Sequence, residues 1–315
     1  MASFDDWAAF RDSYGTGEDF LRRCYLNAPV PVRTGVPPLD AVLSGGLRPG
    51  VHVLGGEPGA GKSALALQVA LMAAQRGNRS LYVSLEMDWA QCRSRCLALL
   101  SMEADGLAPF RWAEVPAMGR KLAKAMREGR ERCGDESCVR DILRADPVAA
   151  ANEFMAQQCA GLTIADADGL HDTGKLTEAA WEARDAGMGL MVVDYLQQLD
   201  YQGTGTEYDR VSAVSKALSR LAHSLGVPLL VLASMNRMSA AKDAPDMHGF
   251  RGSGGIEYDA ETAMVLRKSD HDGHSADGVR LVELHVVKNR HGRQAEGSPI
   301  GLFFDGAHNR FTWAR

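Results

Sequence analysis

The octapeptide GEPGAGKS, Gly56 to Ser63, limits what this chain can fold into more than any other feature. The apolar run VHVLGG leads into it. The Ala- and Leu-rich stretch from Ser63 to Arg76, closed by Gly77-Asn78, has the make-up of a helix. The spacing G-x-x-x-x-G-K-[ST] between a strand and a helix is that of a loop wrapped around phosphates. Glycines let consecutive N–H groups turn inward where side chains would obstruct. The helix that opens near Lys62 adds the positive end of its dipole. Lys62 is expected to reach the β- and γ-phosphates, and the Ser63 hydroxyl to ligate Mg²⁺. Gly56, Glu57, Pro58, Gly59, Ala60, Gly61, Lys62, Ser63 and Ala64 form the expected cradle of a nucleoside triphosphate, taken as ATP.

Around this loop short apolar strands alternate with helices. Val51–Leu54, Ser80–Ser84, Leu162–Ala165, Leu190–Val193 and the run after Pro228 read as strands. Thr173–Ala186 reads as a helix stopped by Gly187. Val211, Val214, Leu218, Leu221 and Leu225 recur at helical spacing before Gly226. Strands of continuous apolar residues are buried on both faces, which predicts an α/β fold with a mostly parallel sheet flanked by helices. After residue 260 the pattern changes. TAMVLRK, VRLVELHVVK and PIGLFFD follow one another without helices and are expected to form a C-terminal antiparallel hairpin extension. His271 and His274 fall at a hairpin tip.

Two segments stand apart. Residues 101–155 break the alternation and are expected to form a helical insert. Their cluster Arg120, Lys121, Lys124, Arg127, Arg130 and Arg132 is either a solvated helix face or a binding surface. Residues 4–25 place Phe4, Trp7, Ala8, Phe20, Leu21, Cys24 and Tyr25 at loosely helical spacing, and the proline-rich NAPVPVRTGVPPLD follows. The expected division is therefore a short N-terminal helical segment or linker over 1–30 and a single larger domain over 31–315.

A phosphate-bound Mg²⁺ needs an acidic anchor where a buried strand leaves the core. LMVVD supplies Asp194 at such a place, although an aspartate there also suits a cap. Hydrolysis further requires a group that orients water. Tyr195 follows Asp194, so the candidate is Glu86 in SLYVSLEM, at the carboxyl end of another strand, where ligands sit in open α/β sheets. By residue type alone, Glu86 suits a surface position equally well.

Charge and cysteine content exclude some classes. The 35 Lys+Arg against 40 Asp+Glu leave a net charge of −5, which disfavours coating the outside of a duplex but allows a local basic channel. The six cysteines are scattered. Cys133 and Cys138 could be half of a metal site, yet no second pair completes it, so free thiols are expected. The acidic start MASFDDWAAF and the lack of a long uncharged stretch predict a cytoplasmic chain without a membrane span.

Several strings, in order, resemble the ATPase domain of the DnaB-type replicative helicases within the RecA-like superfamily. They are TGVPPLDAVLSGGLRPG, GEPGAGKS, SLEM (Ser84 to Met87), VVDYLQ (Val192 to Gln197), ASMNR (Ala233 to Arg237), FRGSGGIEYDAE (Phe250 to Glu261) and KNRHG (Lys288 to Gly292). Together they span roughly 34 to 315. The resemblance implies a RecA-like P-loop core in which Glu86 polarises the attacking water. It implies that Lys288 and Arg290 act in trans, on the γ-phosphate of a neighbouring subunit. The planar, permanently charged guanidinium of Arg290 suits spread transition-state charge. It also implies that Arg251, Gly252 and Gly254 hold a phosphate of single-stranded DNA in a ring lined by such loops. A hexameric ring and replication-initiation proteins are the implied partners.

Departures are specific. Where the family has a sensor glutamine after a strand, this chain has Ser234, and Gly252 stands where an acidic residue is common. The resemblance starts near residue 34, with about 30 residues before it where full-length members carry a helical domain. The reading carried forward is an ATP-hydrolysing helicase or translocase on single-stranded DNA with a site shared between subunits. The alternative is a RecA-, KaiC- or RadA-like ATPase in which nucleotide sets assembly without unwinding.

Overall fold

The computed structural model describes residues 19, 29–133, 141–143, 145–166, 169–200, 206–235, 250, 255, 258–269, 278–292 and 299–313. The chain divides into Met1–Pro31 and Val32–Arg315, and the architecture below is that of the second unit. The helices expected within 4–25, the hairpin-tip His271 and His274, and Cys138 lie outside the described residues.

Nine strands form one sheet in the order β3-β2-β4-β5-β1-β6-β7-β8-β9. The first five in chain order are β1 (Gly50–Gly56), β2 (Arg79–Ser84), β3 (Leu162–Asp166), β4 (Met188–Asp194) and β5 (Pro228–Leu232). They run parallel, as continuous apolar strands joined by helical crossovers must. The C-terminal strands are β6 (Ala260–Lys268), β7 (Val279–Asn289), β8 (Ile300–Asp305) and β9 (Arg310–Trp313). Here the sequence reading needs one correction. β6 joins the parallel core beside β1, so antiparallel pairing begins only at β7, and β9 is a strand the periodicity had not marked. Four residues, RFTW, are too few to show an alternation.

Side chains alternate across the sheet and feed two cores. Leu54, Tyr82, Val192, Leu230 and Leu232 face α2 (Lys62–Gln75), whose residues Ala64 to Ala74 are all buried. A helix apolar all round belongs inside, which explains the Ala/Leu composition noted after the loop. Val53, Val83, Met191, Val193 and Val231 face the opposite core. There they meet α6 (Thr173–Asp185) and α7 (Glu207–Leu225) through Leu176, Val211, Val214, Leu218 and Leu221. Asp172 caps α6, and a reciprocal Thr206/Asp209 pair caps α7, whose end is Gly226 in the left-handed region.

The remaining helices are α1 (Pro37–Val42), α3 (Trp89–Glu103), α4 (Val115–Cys133) and α5 (Pro147–Gln158). Within 101–155 the described helices are the end of α3, α4 and most of α5. A short turn at Trp112–Glu114 clips this segment to the rest: Trp112 N donates to Ala307 O at 3.1 Å and Trp112 Nε1 to Gly306 O at 2.9 Å, both in the β8–β9 turn. Cys92, Cys96 and Cys159 are buried free thiols. Burial pushes the Cys92 and Cys159 thiols up to about 11, so they behave as small apolar groups. Among the described residues, no helix is long and apolar enough to cross a membrane.

Gly56 ends β1 with φ +152, and a Cβ there would lie 2.1 Å from the Leu266 carbonyl oxygen of β6. Gly59 has φ +75 but open space around it. Gly56→Ala is therefore expected to cost about 2–4 kcal/mol in denaturant titrations, against about 1 kcal/mol for Gly59→Ala. Equal losses would contradict the close approach.

Candidate functional site

Parallel strands end at one edge, and adjacent strands in the order β2-β4-β5-β1 bring four chemically distinct positions there. β1 delivers the Gly56–Ser63 loop. β2 ends opposite Asp194, with Ser84 and Asp194 in register. Leu85 N donates to Asp194 O at 2.7 Å, which sets Glu86 just past the edge. β5 is followed by Ala233, whose N donates to Leu54 O, and then by Ser234. A cleft of about 430 Å³ at this edge is lined by Pro58, Gly59, Gly61, Lys62, Ser63, Ala64, Glu86, Asp194, Tyr195 and Ser234, together with Arg95 and Phe304.

The loop is held open by backbone geometry. Gly61, in the left-handed region, precedes α2, and no side chain caps that helix, so its first-turn N–H groups face outward as donors for an anion. Lys62 Nζ donates to Gly56 O at 3.0 Å and to Glu57 O at 3.1 Å, both within its own loop. Burial pushes its ammonium below the usual lysine range, while Asp194, Glu86 and Glu57 pull it back. A phosphate satisfies such a cation better than two neutral carbonyls.

Asp194 is 1% exposed. Burial raises its carboxyl above the usual range, hydrogen bonds from Tyr82 and Ser63 oppose this, and Glu86 adds repulsion. The Tyr82 hydroxyl donates to Asp194 Oδ2 at 2.7 Å and is itself fully buried. Ser63 and Asp194 thus offer one hydroxyl and one carboxylate that repulsion and burial leave short of positive charge. That set fits Mg²⁺, which keeps several waters and takes phosphate oxygens besides one or two protein ligands. Among the described residues, no group of three or more His, Cys, Asp or Glu is placed to hold a metal ion.

Three contributors to the cleft carry no local sequence signal. Arg95 lies on α3, its guanidinium carbon 4.4 Å over the Trp112 ring and its Nε buried with no hydrogen-bond partner among the described residues. Its place nine residues past Glu86 on a helix is the one clue the sequence held. Phe304 stacks on Phe311 at 4.4 Å, and the two rings press on Gly61, where a Cβ would lie within 3.0 Å of both. Arg280, at the start of β7, sits 4.9 Å over Phe304 and donates to Gly59 O. The contacts of Arg280 with Gly59 and of Phe304 and Phe311 with Gly61 join segments far apart in the chain, so spacing could not reveal them.

Other expected residues fall elsewhere. Lys288 near the far end of β7 and Arg290 just beyond it lie beside Ala263 and Glu261 at the start of β6. Arg280 touches the phosphate loop, and ten residues of strand at about 3.3 Å each separate Arg290 from it by roughly 30 Å. The structure therefore does not bring Lys288 or Arg290 to the cleft of their own chain. Arg251, Gly252 and Gly254 lie outside the described residues, but their flanks are described. Phe250 is buried against Gly55 and bridges Met235, and Gly255 packs on Ser212 of α7. Ser234 N donates to Gln197 Oε1 at 3.1 Å, so an amide from the DYLQ string stands beside the serine.

With this geometry in view, the comparisons with known proteins are decisive. Residues 140–313 match the DnaB-like helicase C terminal domain family, and residues 32–105 match the KaiC ATPase family. The chain belongs to the DnaB-like helicase C-terminal domain family. It is 26% identical over 295 residues to the replicative DNA helicase DnaB of Geobacillus stearothermophilus, covering 89% of this chain and 56% of that protein. A shorter match, 53% identical over 66 residues, links 21% of the chain to 14% of the DNA repair protein RadA of Mycobacterium tuberculosis. The chain thus spans about half the length of the replicative helicases it matches. Among solved structures, a DnaB-like replicative helicase described with its primase interactions superposes with a TM-score of 0.71 at 18% identity, covering 100% of this chain and 68% of that one. A second solved structure, of an isolated ATPase domain, gives 0.74 at 20%, covering 96% and 99%. The RecA-like fold expected from the motifs is the fold observed, and the DnaB-like resemblance extends over nearly the whole chain.

The raised Asp194 carboxyl generates a test. A folded-state value above the unfolded one means that stability is lost as pH rises from about 4 through that folded value. Asp194→Asn, which removes the buried charge and keeps an acceptor for Tyr82, is expected to raise the melting temperature of ligand-free protein at pH 7, the gain vanishing near pH 4. It is expected to lower Mg²⁺-dependent ATP hydrolysis by about 100-fold or more. A melting temperature equal to wild type at both pH values would contradict the burial argument.

Proposed function

We propose that this DnaB-like domain hydrolyses ATP and couples the reaction to movement along single-stranded DNA, in a ring whose sites are each completed by the adjoining subunit. One observation carries the reading. Lys62, Ser63, Asp194, Glu86 and Ser234 converge at one sheet edge, while Arg290 stands roughly 30 Å away at the opposite edge. A cation so placed is out of reach of its own γ-phosphate and is presented to another copy.

In this mechanism Lys62 exchanges its loop carbonyls for the β- and γ-phosphate oxygens, and the uncapped amides of α2 take the others. Mg²⁺ held by Ser63 and Asp194 would neutralise phosphate charge. Glu86, on the exposed side of the cleft, orients and polarises the attacking water. Lys288 and Arg290 of a second copy offset the charge that spreads over the transferring phosphoryl group. The connection to DNA runs through neighbouring backbone: Ser234 borders the cleft, Met235 pairs with Phe250, and Phe250 leads into Arg251, Gly252 and Gly254. A shift at the γ-phosphate is thereby handed to the loop that would grip a DNA phosphate. The relatives named replicative helicases support this substrate class, and primase, named with one of the solved structures, marks the kind of protein partner to test.

A second reading, a nucleotide-gated assembly without unwinding, is favoured by one residue: Ser234 is shorter than the sensor glutamine expected there. The two separate in one experiment, the ATPase rate with and without single-stranded DNA on protein of measured mass. Strong stimulation in a ring-sized species is expected. A rate indifferent to DNA, with mass that follows ATP, selects the second reading.

The shared site has its own test. Arg290→Ala and Lys62→Ala are each expected to be nearly inactive alone. In a random one-to-one mixture about a quarter of junctions pair an intact loop with an intact finger, so about a quarter of wild-type activity is expected. Mixed assemblies that stay inactive would argue against a trans finger.

A further inference from the structure

Glu261 is a nearly buried carboxylate at the sheet edge opposite the phosphate loop, 7% exposed, and nothing in the cleft chemistry uses it. Its two oxygens are divided between consecutive residues of the KNRHG turn. Oε1 accepts from Arg290 Nη1 at 3.2 Å, and Oε2 lies 2.9 Å from His291 Nε2. The backbone repeats the pairing, for Arg290 N donates to Glu261 O at 3.0 Å. Arg290 Nη2 adds a bond to Tyr258 O at 2.6 Å. The other side of the turn is pinned to α1, since Asn289 Nδ2 donates to Val42 O at 2.9 Å and Asn289 Oδ1 accepts from His291 N at 3.1 Å.

The surroundings leave room for this carboxylate. A Cβ on Gly50 would lie 2.5 Å from Glu261 Cγ. Next to it His52 is fully buried and already committed, Nδ1 to Thr262 Oγ1 at 2.8 Å and Nε2 to Arg48 O at 2.7 Å.

An arginine on a free turn gives up several rotors each time it meets a phosphate. Here two of the five guanidinium N–H groups are held from behind, and the Arg290 side chain is still 46% exposed. Among the described residues, the other three donors are left for an incoming anion. Preorganised donors lose less on binding and align better with developing charge.

We propose that Glu261 is the positioning residue of the Arg290 finger, fixing its guanidinium at the height and angle at which a second copy's γ-phosphate meets it. The inference rests on the shared-site reading. It adds that the geometry of the finger is set by a buried carboxylate in the finger's own subunit.

Glu261→Ala is expected to lower kcat about tenfold, with KM for ATP and assembled mass unchanged. Glu261→Gln, which keeps the shape and one acceptor, is expected to lower kcat about threefold, and it serves if the alanine variant does not assemble. The defect is expected to act in trans. Mixed with Lys62→Ala, whose finger is intact, each Glu261→Ala subunit is expected to turn over several-fold faster than in its own homomer. The Arg290→Ala mixture runs beside it. Rescue of Arg290→Ala without rescue of Glu261→Ala, or a kcat that is unchanged or higher in the Glu261 variants, overturns the positioning role and leaves the shared site standing. Failure to rescue Arg290→Ala overturns the shared site and this inference with it.

Discussion

Asp194 is a carboxylate held almost out of water where β4 leaves the sheet, beside a buried tyrosine hydroxyl, a serine and a lysine. Left alone, such a group disfavours folding, because burial penalises its charged form. The chain retains it by surrounding it with donors that a well-packed core would not need. Tyr82, on the next strand, fills the space behind it and donates to it, and the register of β2 against β4 puts the two in reach. The rest of the cleft follows from that arrangement. The β2 end that carries Tyr82 also carries Glu86, and the α2 start that carries Ser63 also carries Lys62. A site that is locally strained in electrostatic terms is the kind that gains most when a cation and a phosphate arrive together.

The C-terminal strands give this core a second role. β7 begins at Val279, with the next residue, Arg280, in contact with the phosphate loop, and leads into the turn that bears Arg290. A single strand thus spans the sheet from the cleft to the opposite edge, and a rigid strand fixes the separation between the two. Under the proposed shared site, that separation makes a ring a natural assembly. In that proposal, a subunit that leaves its own site unfinished and presents the missing group elsewhere is satisfied by a head-to-tail arrangement that closes on itself. The insert is tied into the same region by Trp112, which holds the β8–β9 turn and carries Arg95 on its ring.

Parts of this were legible in the residues. GEPGAGKS named the phosphate loop because the chemistry requires small residues at fixed offsets, and such a requirement is local. LMVVD placed Asp194 at a strand end because four apolar residues in a row end where the polar one begins. The strand-like run TAMVLRK and its antiparallel pairing with the next strand were legible, but its parallel pairing with β1 was not: a nine-residue strand buried on both faces reads alike whether its other neighbour is parallel or antiparallel. Arg95, Phe304 and the Gln197 amide beside Ser234 were invisible for a different reason. Arg95 meets Trp112 17 residues on, Gln197 meets Ser234 37 residues on and Phe304 meets Gly61 243 residues back, and no period of two or 3.6 residues encodes contacts of that kind.

The sequence by itself determined the local chemistry: a loop able to bind phosphates, two acids at strand ends, a basic turn, and a fold class of buried strands alternating with helices. Periods of two and 3.6 residues and the demands of tight turns are written into neighbouring residues, so they survive without coordinates. Only the tertiary structure decided which ends lie together. It set Glu86, Asp194 and Lys62 on one edge and carried Arg290 to the other, under the hold of Glu261. Strand order and direction decide that partition, and they are fixed by packing the two cores against one sheet, a property of the whole chain rather than of any stretch within it.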